Sequence, residues 1–183
     1  RVRSRGVMGE YDQFLGTLIR ERTDGEWKND LLGILLTTED EETGEVMNPA
    51  ELAEEVLGML IGGHETTAKA LTWIWHELHR HPEVEEKIYQ EIQTVTGGGP
   101  VEFEHLGEFK FTDMVIQETM RLHPPFWFEN RNARCDVELG GATIPKGSMV
   151  VFSRYSLQRH PAFWKAPDEF NPERFNPDTP ENE

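Results

Sequence analysis

Three groupings of residues have the types and spacing for chemistry. The first is Gly62-Gly63-His64-Glu65-Thr66-Thr67, set in the middle of a long apolar helical pattern. Met59, Gly62, Gly63, Thr66 and Ala70 are related by steps of three or four, so on a helix they share one nearly flat face that carries a hydroxyl. Each glycine costs a helix interior about 1 kcal/mol against alanine. Two arrangements would offset that cost. A flat ligand could lie on the face, with Thr66 and Glu65 as a proton relay, or a second helix could cross close by while Thr66 bonds its own backbone. The residues alone leave both open.

The second grouping is Glu118 with Arg121, three apart and on one helix face with Phe111, Met114, Val115 and Leu122. A charged pair inside an apolar stripe is expected to be buried, where desolvation consumes most of the Coulomb gain and the pair serves to fix a register. Arg121 has donors to spare after one carboxylate, and Arg174 in Pro172-Glu173-Arg174-Phe175 is the candidate third member. The alternative is an exposed helical pair worth about 0.3 to 0.5 kcal/mol. The third grouping is His64, His76, His79 and His81. A zinc-peptidase helix needs His-Glu-x-x-His, and here the second histidine positions hold Ala68 and Arg80, so no metal ligand is assigned.

The elements that must position these groups are legible in the pattern. Phe14, Leu15, Leu18 and Ile19 have helical spacing between Tyr11 and Arg22, and Asp30 can cap a second helix from Leu31 to Leu36. An acidic connection, Glu39 to Glu45, reads as a solvated loop. The longest helix is expected from Pro49 to Arg80, about 48 Å long at about 1.5 Å per residue. Because Val56 to Gly63 is apolar all round, this helix is expected to be buried on several sides. Pro82 opens another helix that ends at Gly97-Gly98-Gly99, and a further one is expected from Thr112 to Leu122. Beyond Leu122 the chain changes character. Asp136 to Leu139 and Ala142 to Ile144 flank a Gly-Gly turn as a hairpin, Met149 to Phe152 is a short strand, and the rest is a Pro-rich meander with packing aromatics.

The chain is therefore mainly α with a small β part, helical over 1–122 and built of hairpins and meander over 123–183. Its 183 residues carry a formal charge of -16, which disfavours nucleic acid as a partner. One cysteine excludes an internal disulfide and a multi-cysteine zinc site. No stretch reaches the roughly 20 apolar residues of a membrane span. The first residues lack both an initiator Met and the apolar centre of a signal peptide, so the chain is expected to be cut from a longer one.

Taken together, Gly62-Gly63-His64-Glu65-Thr66-Thr67, then Glu118-Thr119-Met120-Arg121 leading into Leu122-His123-Pro124-Pro125, then Pro172-Glu173-Arg174-Phe175, in that order, resemble the cytochrome P-450 family of haem-thiolate monooxygenases. The resemblance runs over essentially all 183 residues and is nearest to soluble bacterial members. It implies that residues 1–183 are the central portion of that fold, a partial domain in which the long helix crosses the distal face of the haem. It further implies that Gly62, Gly63 and Thr66 face the haem, that Glu65 and Thr66 deliver protons for dioxygen chemistry, and that Arg131 pairs with a haem propionate. Glu118, Arg121 and Arg174 would be the salt-bridged triad of the haem-binding core. Phe126, Trp127 and Phe128 match the segment that enters the substrate pocket, although core packing would equally explain their bulk.

The same resemblance implies an apolar small-molecule substrate, dioxygen, a ferredoxin or flavoprotein reductase as electron donor, and a cytoplasmic location. The family's axial thiolate lies in a Phe-x-x-Gly loop with a downstream Cys-x-Gly, past the Pro-Glu-Arg-Phe segment. It is expected outside this chain, since Cys135 precedes a hairpin and lacks the glycine loop. The isolated chain is accordingly expected to be inactive. A non-catalytic helical scaffold or interaction module without haem is the alternative.

Overall fold

The computed structural model describes residues 2–25 and 28–178, leaving aside the side chains of residues 2–8 and 12. Contacts divide the chain into two compact units, residues 1–65 and 66–183. In the first, α1 (Val2–Thr23) and α2 (Leu31–Thr37) precede the start of the long helix α3 (Pro49–Arg80). Asp30 caps α2 by accepting the Gly33 amide at 3.0 Å. The acidic connection closes on one antiparallel bridge, Glu39 to Val46. Asn48 caps α3 by accepting the amides of Ala50 and Glu51 at 3.0 and 3.1 Å, and Glu51 returns the favour at the Asn48 amide, 3.0 Å away. With Pro49 in the first turn, that reciprocal box explains why the helix starts where it does. Leu15, Ile19, Leu52 and Val56 form this unit's core.

Only part of α3 is covered. Leu52 and Val56 are buried, but Met59, Leu60 and Ile61 are 39, 45 and 56% exposed, so the expected burial on several sides does not hold among the described residues. The reason is supply. The first turns of the helix find apolar partners in α1 and α2, and its last turns find them in the second unit's core, while its middle turns meet none there.

In the second unit α4 (Pro82–Thr96) ends at Gly97 in the left-handed conformation, φ 62°, as a glycine there permits. A 3₁₀ turn (Phe103–Glu108) leads into α5 (Lys110–Leu122), which begins slightly before the expected Thr112. Glu91 of α4 explains the earlier start: its carboxylate accepts the amides of Phe111 and Thr112, at 2.7 and 2.9 Å, and the Thr112 hydroxyl at 2.7 Å. Leu78, Val84 and Val115 form the core here, with Ile74, Ile88, Phe111 and Phe170 packed on it.

The strands form two small antiparallel sheets. β1 (Phe128–Asn132) pairs with β4 (Met149–Ser153), placing Phe128 opposite Ser153 and Arg131 opposite Val150. β2 (Val137–Leu139) and β3 (Ala142–Ile144) form the expected hairpin, with φ of 59° at Gly140 and 80° at Gly141. Positive φ at both central residues is what a tight two-residue hairpin turn demands. A short α6 (Arg154–Leu157) and a 3₁₀ turn (Pro172–Phe175) punctuate the meander.

Candidate functional site

The structure brings Glu118, Arg121 and Arg174 together. Glu118 and Arg121, 0 and 2% exposed, face inward from α5, as their position in an apolar stripe requires. Arg121 Nε donates to Glu118 Oε2 at 2.6 Å and Nη2 donates to Oε1 at 2.9 Å, a bidentate pair. Its remaining donors reach three meander carbonyls: Gln158 and Pro167, each at 2.7 Å, and Glu169 at 3.2 Å. The Trp164 ring lies 5.0 Å from the guanidinium carbon. Arg174 Nε donates to Glu118 Oε1 at 3.3 Å, and its terminal nitrogens donate to the carbonyls of Lys165 and Ala166. The Asn171 amide adds a 2.8 Å bond to Glu118. Two guanidiniums and one carboxylate thus hold an otherwise irregular stretch against α5, which fixed hydrogen-bond directions do better than apolar packing.

Gly62, Gly63, Glu65 and Thr66 lie on consecutive turns of α3. A Cβ built at Gly62 or at Gly63 would meet nothing within 4 Å. Among the described residues, the positions their side chains would take are open. Glu65 is exposed and Thr66 half-buried.

Arg131 projects from β1 with its side chain 73% exposed, 3.7 Å from Glu129, which also pairs with Arg154. Phe126 and Trp127 are 59 and 60% exposed and Phe128 is 40% exposed, so these rings do not serve as core among the described residues. Cys135 is free and exposed. No cluster of three or more His, Cys, Asp or Glu among the described residues is placed to hold a metal ion.

Two further contacts carry no sequence motif. Glu77, 5% exposed, sits 2.7 Å from His123 Nε2, and the His123 ring stacks on Trp73 at 3.9 Å and 2°. Burial pushes the His123 pKa below the usual histidine value, and the Glu77 hydrogen bond opposes that shift. Pairing of a histidine with a carboxylate in Trp-x-x-His-Glu could have been suspected, but nothing in the spacing names His123 as its partner.

Residues 5–182 match the cytochrome P-450 family. The chain belongs to the cytochrome P-450 family. It is 38% identical over 168 residues to a pentalenene oxygenase of Streptomyces avermitilis, an alignment covering 92% of this chain and 37% of that protein. It is also 38% identical over 164 residues to a cyclooctat-9-en-7-ol 5-monooxygenase of Streptomyces melanosporofaciens, covering 89% of this chain and 36% of that one. Among solved structures it superposes on retinoic acid-bound cyanobacterial CYP120A1 with a TM-score of 0.90 at 30% identity, covering 96% of this chain and 40% of that one. The chain thus spans less than two-fifths of the curated relatives named here. Membership in the cytochrome P-450 family implies haem. The open space over Gly62 and Gly63 fits a flat group, and an exposed guanidinium at Arg131 fits an anionic substituent. The cysteine present, exposed ahead of β2, is not set in a glycine loop of the family's type.

Proposed function

We propose that residues 1–183 are the central part of a haem-dependent monooxygenase that inserts one atom of dioxygen into an apolar organic substrate, with electrons from a ferredoxin or flavoprotein reductase. The observation that carries this reading is the empty space where side chains at Gly62 and Gly63 would stand, one turn before the Thr66 hydroxyl. When bound, haem would supply the one-electron and dioxygen chemistry. The chain's own residues do the rest. Gly62 and Gly63 let a planar group approach the backbone, as only side-chain-free positions can. Thr66 holds a hydroxyl proton at Oγ1, and Glu65, exposed on the same helix, passes protons inward from water.

Arg131 pairs with a propionate through its planar fork. Phe126, Trp127 and Phe128 exclude water and favour an apolar substrate. The names of the two Streptomyces relatives, a pentalenene oxygenase and a cyclooctat-9-en-7-ol 5-monooxygenase, support the same substrate class. Glu118, Arg121 and Arg174 hold the meander so that the cofactor's surroundings stay fixed. A cytoplasmic location rests on the resemblance to soluble bacterial members.

The test is a reduced carbon monoxide difference spectrum of the protein expressed from its complete coding sequence and of the 183-residue chain alone. A thiolate-type band from the first and none from the second is expected. No haem in the complete protein would favour the scaffold reading, and a thiolate-type band from the chain alone would contradict the placement of the ligand.

A further inference from the structure

We propose that Glu77 and His123 are positioning residues that orient the segment Phe126–Phe128 against the Thr66-bearing stretch of α3. The inference rests on the substrate-facing role given above to that segment. His123 follows α5 directly and is held from two directions. Its ring lies flat on Trp73, 3.9 Å between centroids at 2°, and its Nε2 meets Glu77 Oε1 at 2.7 Å. His76 closes edge-on against both rings, 5.3 Å from Trp73 and 6.3 Å from His123. The second oxygen of Glu77 is 3.6 Å from His81 Nε2. Burying a carboxylate costs more than it returns unless its geometry is used, and apolar side chains would join these elements at least as stably. What the carboxylate and the stack add is a fixed ring orientation.

That orientation is transmitted. Pro124 and Pro125 follow His123, and each proline fixes its own φ and drives the preceding residue toward extended backbone. The segment is secured again where Phe128 enters β1 opposite Ser153. Phe126 and Trp127 stand between the two anchors, 59 and 60% exposed. On the helix, Trp73 is two turns beyond Thr66, and a step of seven residues returns to within about 20° of the same face. The clamp therefore sets the aromatic pair relative to the face that carries the Thr66 hydroxyl.

The test uses the complete haem-loaded enzyme and two iron-binding compounds: imidazole, too small to reach a pocket wall, and 4-phenylimidazole, whose ring must pack on one. Their affinities are read as spectral titrations. His123→Leu should raise the ratio of the 4-phenylimidazole Kd to the imidazole Kd by about tenfold, and His123→Gln, which keeps an N–H donor, should return it to within about threefold of the unaltered enzyme. An unchanged ratio in His123→Leu while Phe126→Ala shifts it would overturn the clamp and leave the pocket assignment standing. An unchanged ratio in Phe126→Ala and Trp127→Ala as well would overturn both. Failure of His123→Gln to restore the ratio would refute the hydrogen-bond role. If His123→Leu does not accumulate as folded holoenzyme, Trp73→Leu replaces it, since it removes the stacked face and leaves Glu77 in place, with the same ratios deciding.

Discussion

Replacing Arg121 by lysine keeps the charge and most of the reach but cannot keep the geometry. The guanidinium spends five N–H donors in a plane: two on Glu118, at 2.6 and 2.9 Å, and three on the carbonyls of Gln158, Pro167 and Glu169. An ammonium has three donors and no fork, so at least two of those acceptors lose their partner. Each buried acceptor left unpaired costs about 1 to 3 kcal/mol. The bidentate grip on a fully buried carboxylate also weakens, and breaking a buried pair outright costs about 3 to 5 kcal/mol. Arg121→Lys should therefore destabilise by about 3 kcal/mol or more. Against a typical total of about 5 to 15 kcal/mol that is a large share.

The assay is urea denaturation of the 183-residue chain followed by far-ultraviolet circular dichroism, with Arg22→Ala as a surface control. Arg22 meets Asp30 at 2.5 Å in an ion pair whose side chains are 16 and 46% exposed, at the rim of its unit, and its removal should cost far less than Arg121→Lys. If Arg121→Lys shifts stability no more than that control, the network does not organise the meander and the reasoning fails.

Other outcomes follow from the same contacts. Glu91→Ala strips the cap from α5 and should cost about 1 to 2 kcal/mol in urea denaturation, whereas Glu85→Ala, exposed on the same helix, should leave the midpoint nearly unchanged. Gly63→Ala meets open space, so it should stabilise the chain by about 0.5 to 1 kcal/mol while lowering haem occupancy of the complete protein; equal haem content would count against the cofactor-facing assignment. The lowered pKa of His123 means that below the ordinary value of 6.5 the unfolded chain takes up a proton that the folded chain resists. Stability is therefore full above that value and declines as pH falls through it toward the folded-state pKa. Denaturation midpoints at pH 7.5 and 5.5 should differ less in His123→Gln than in the unaltered chain, and an equal difference would show that another group controls this range.

Helix ends and turns were readable from sequence because local chemistry sets them. Pro49 opens α3, His81-Pro82 stops it, and Gly140-Gly141 closes the hairpin, each through backbone constraints acting over a few residues. The pairing of Glu118 with Arg121 was readable for the same reason, since three residues on a helix make one face. β1 was not foreseen: Phe-Glu-Asn-Arg-Asn has no apolar alternation, and it is a strand because Met149–Ser153 pairs with it. Burial along α3 was misread because an all-round apolar pattern tells what a helix can bury but not whether partners are at hand. Glu77 and His123 are 46 residues apart and each belongs to no spacing rule, so their contact emerged only from the fold. Their neighbours His76 and His79 lack the ligand spacing, and the buried carboxylate beside them is the group that bridges elements.

The central claim is that the Thr66 hydroxyl governs proton supply at a haem resting on α3. Its most direct measurement is the fraction of electrons lost to hydrogen peroxide in the complete enzyme and in its Thr66→Ala form during reductase-driven oxygen consumption. The account predicts that peroxide rises about tenfold relative to oxygenated product while haem content holds steady. An unchanged division between product and peroxide would contradict it.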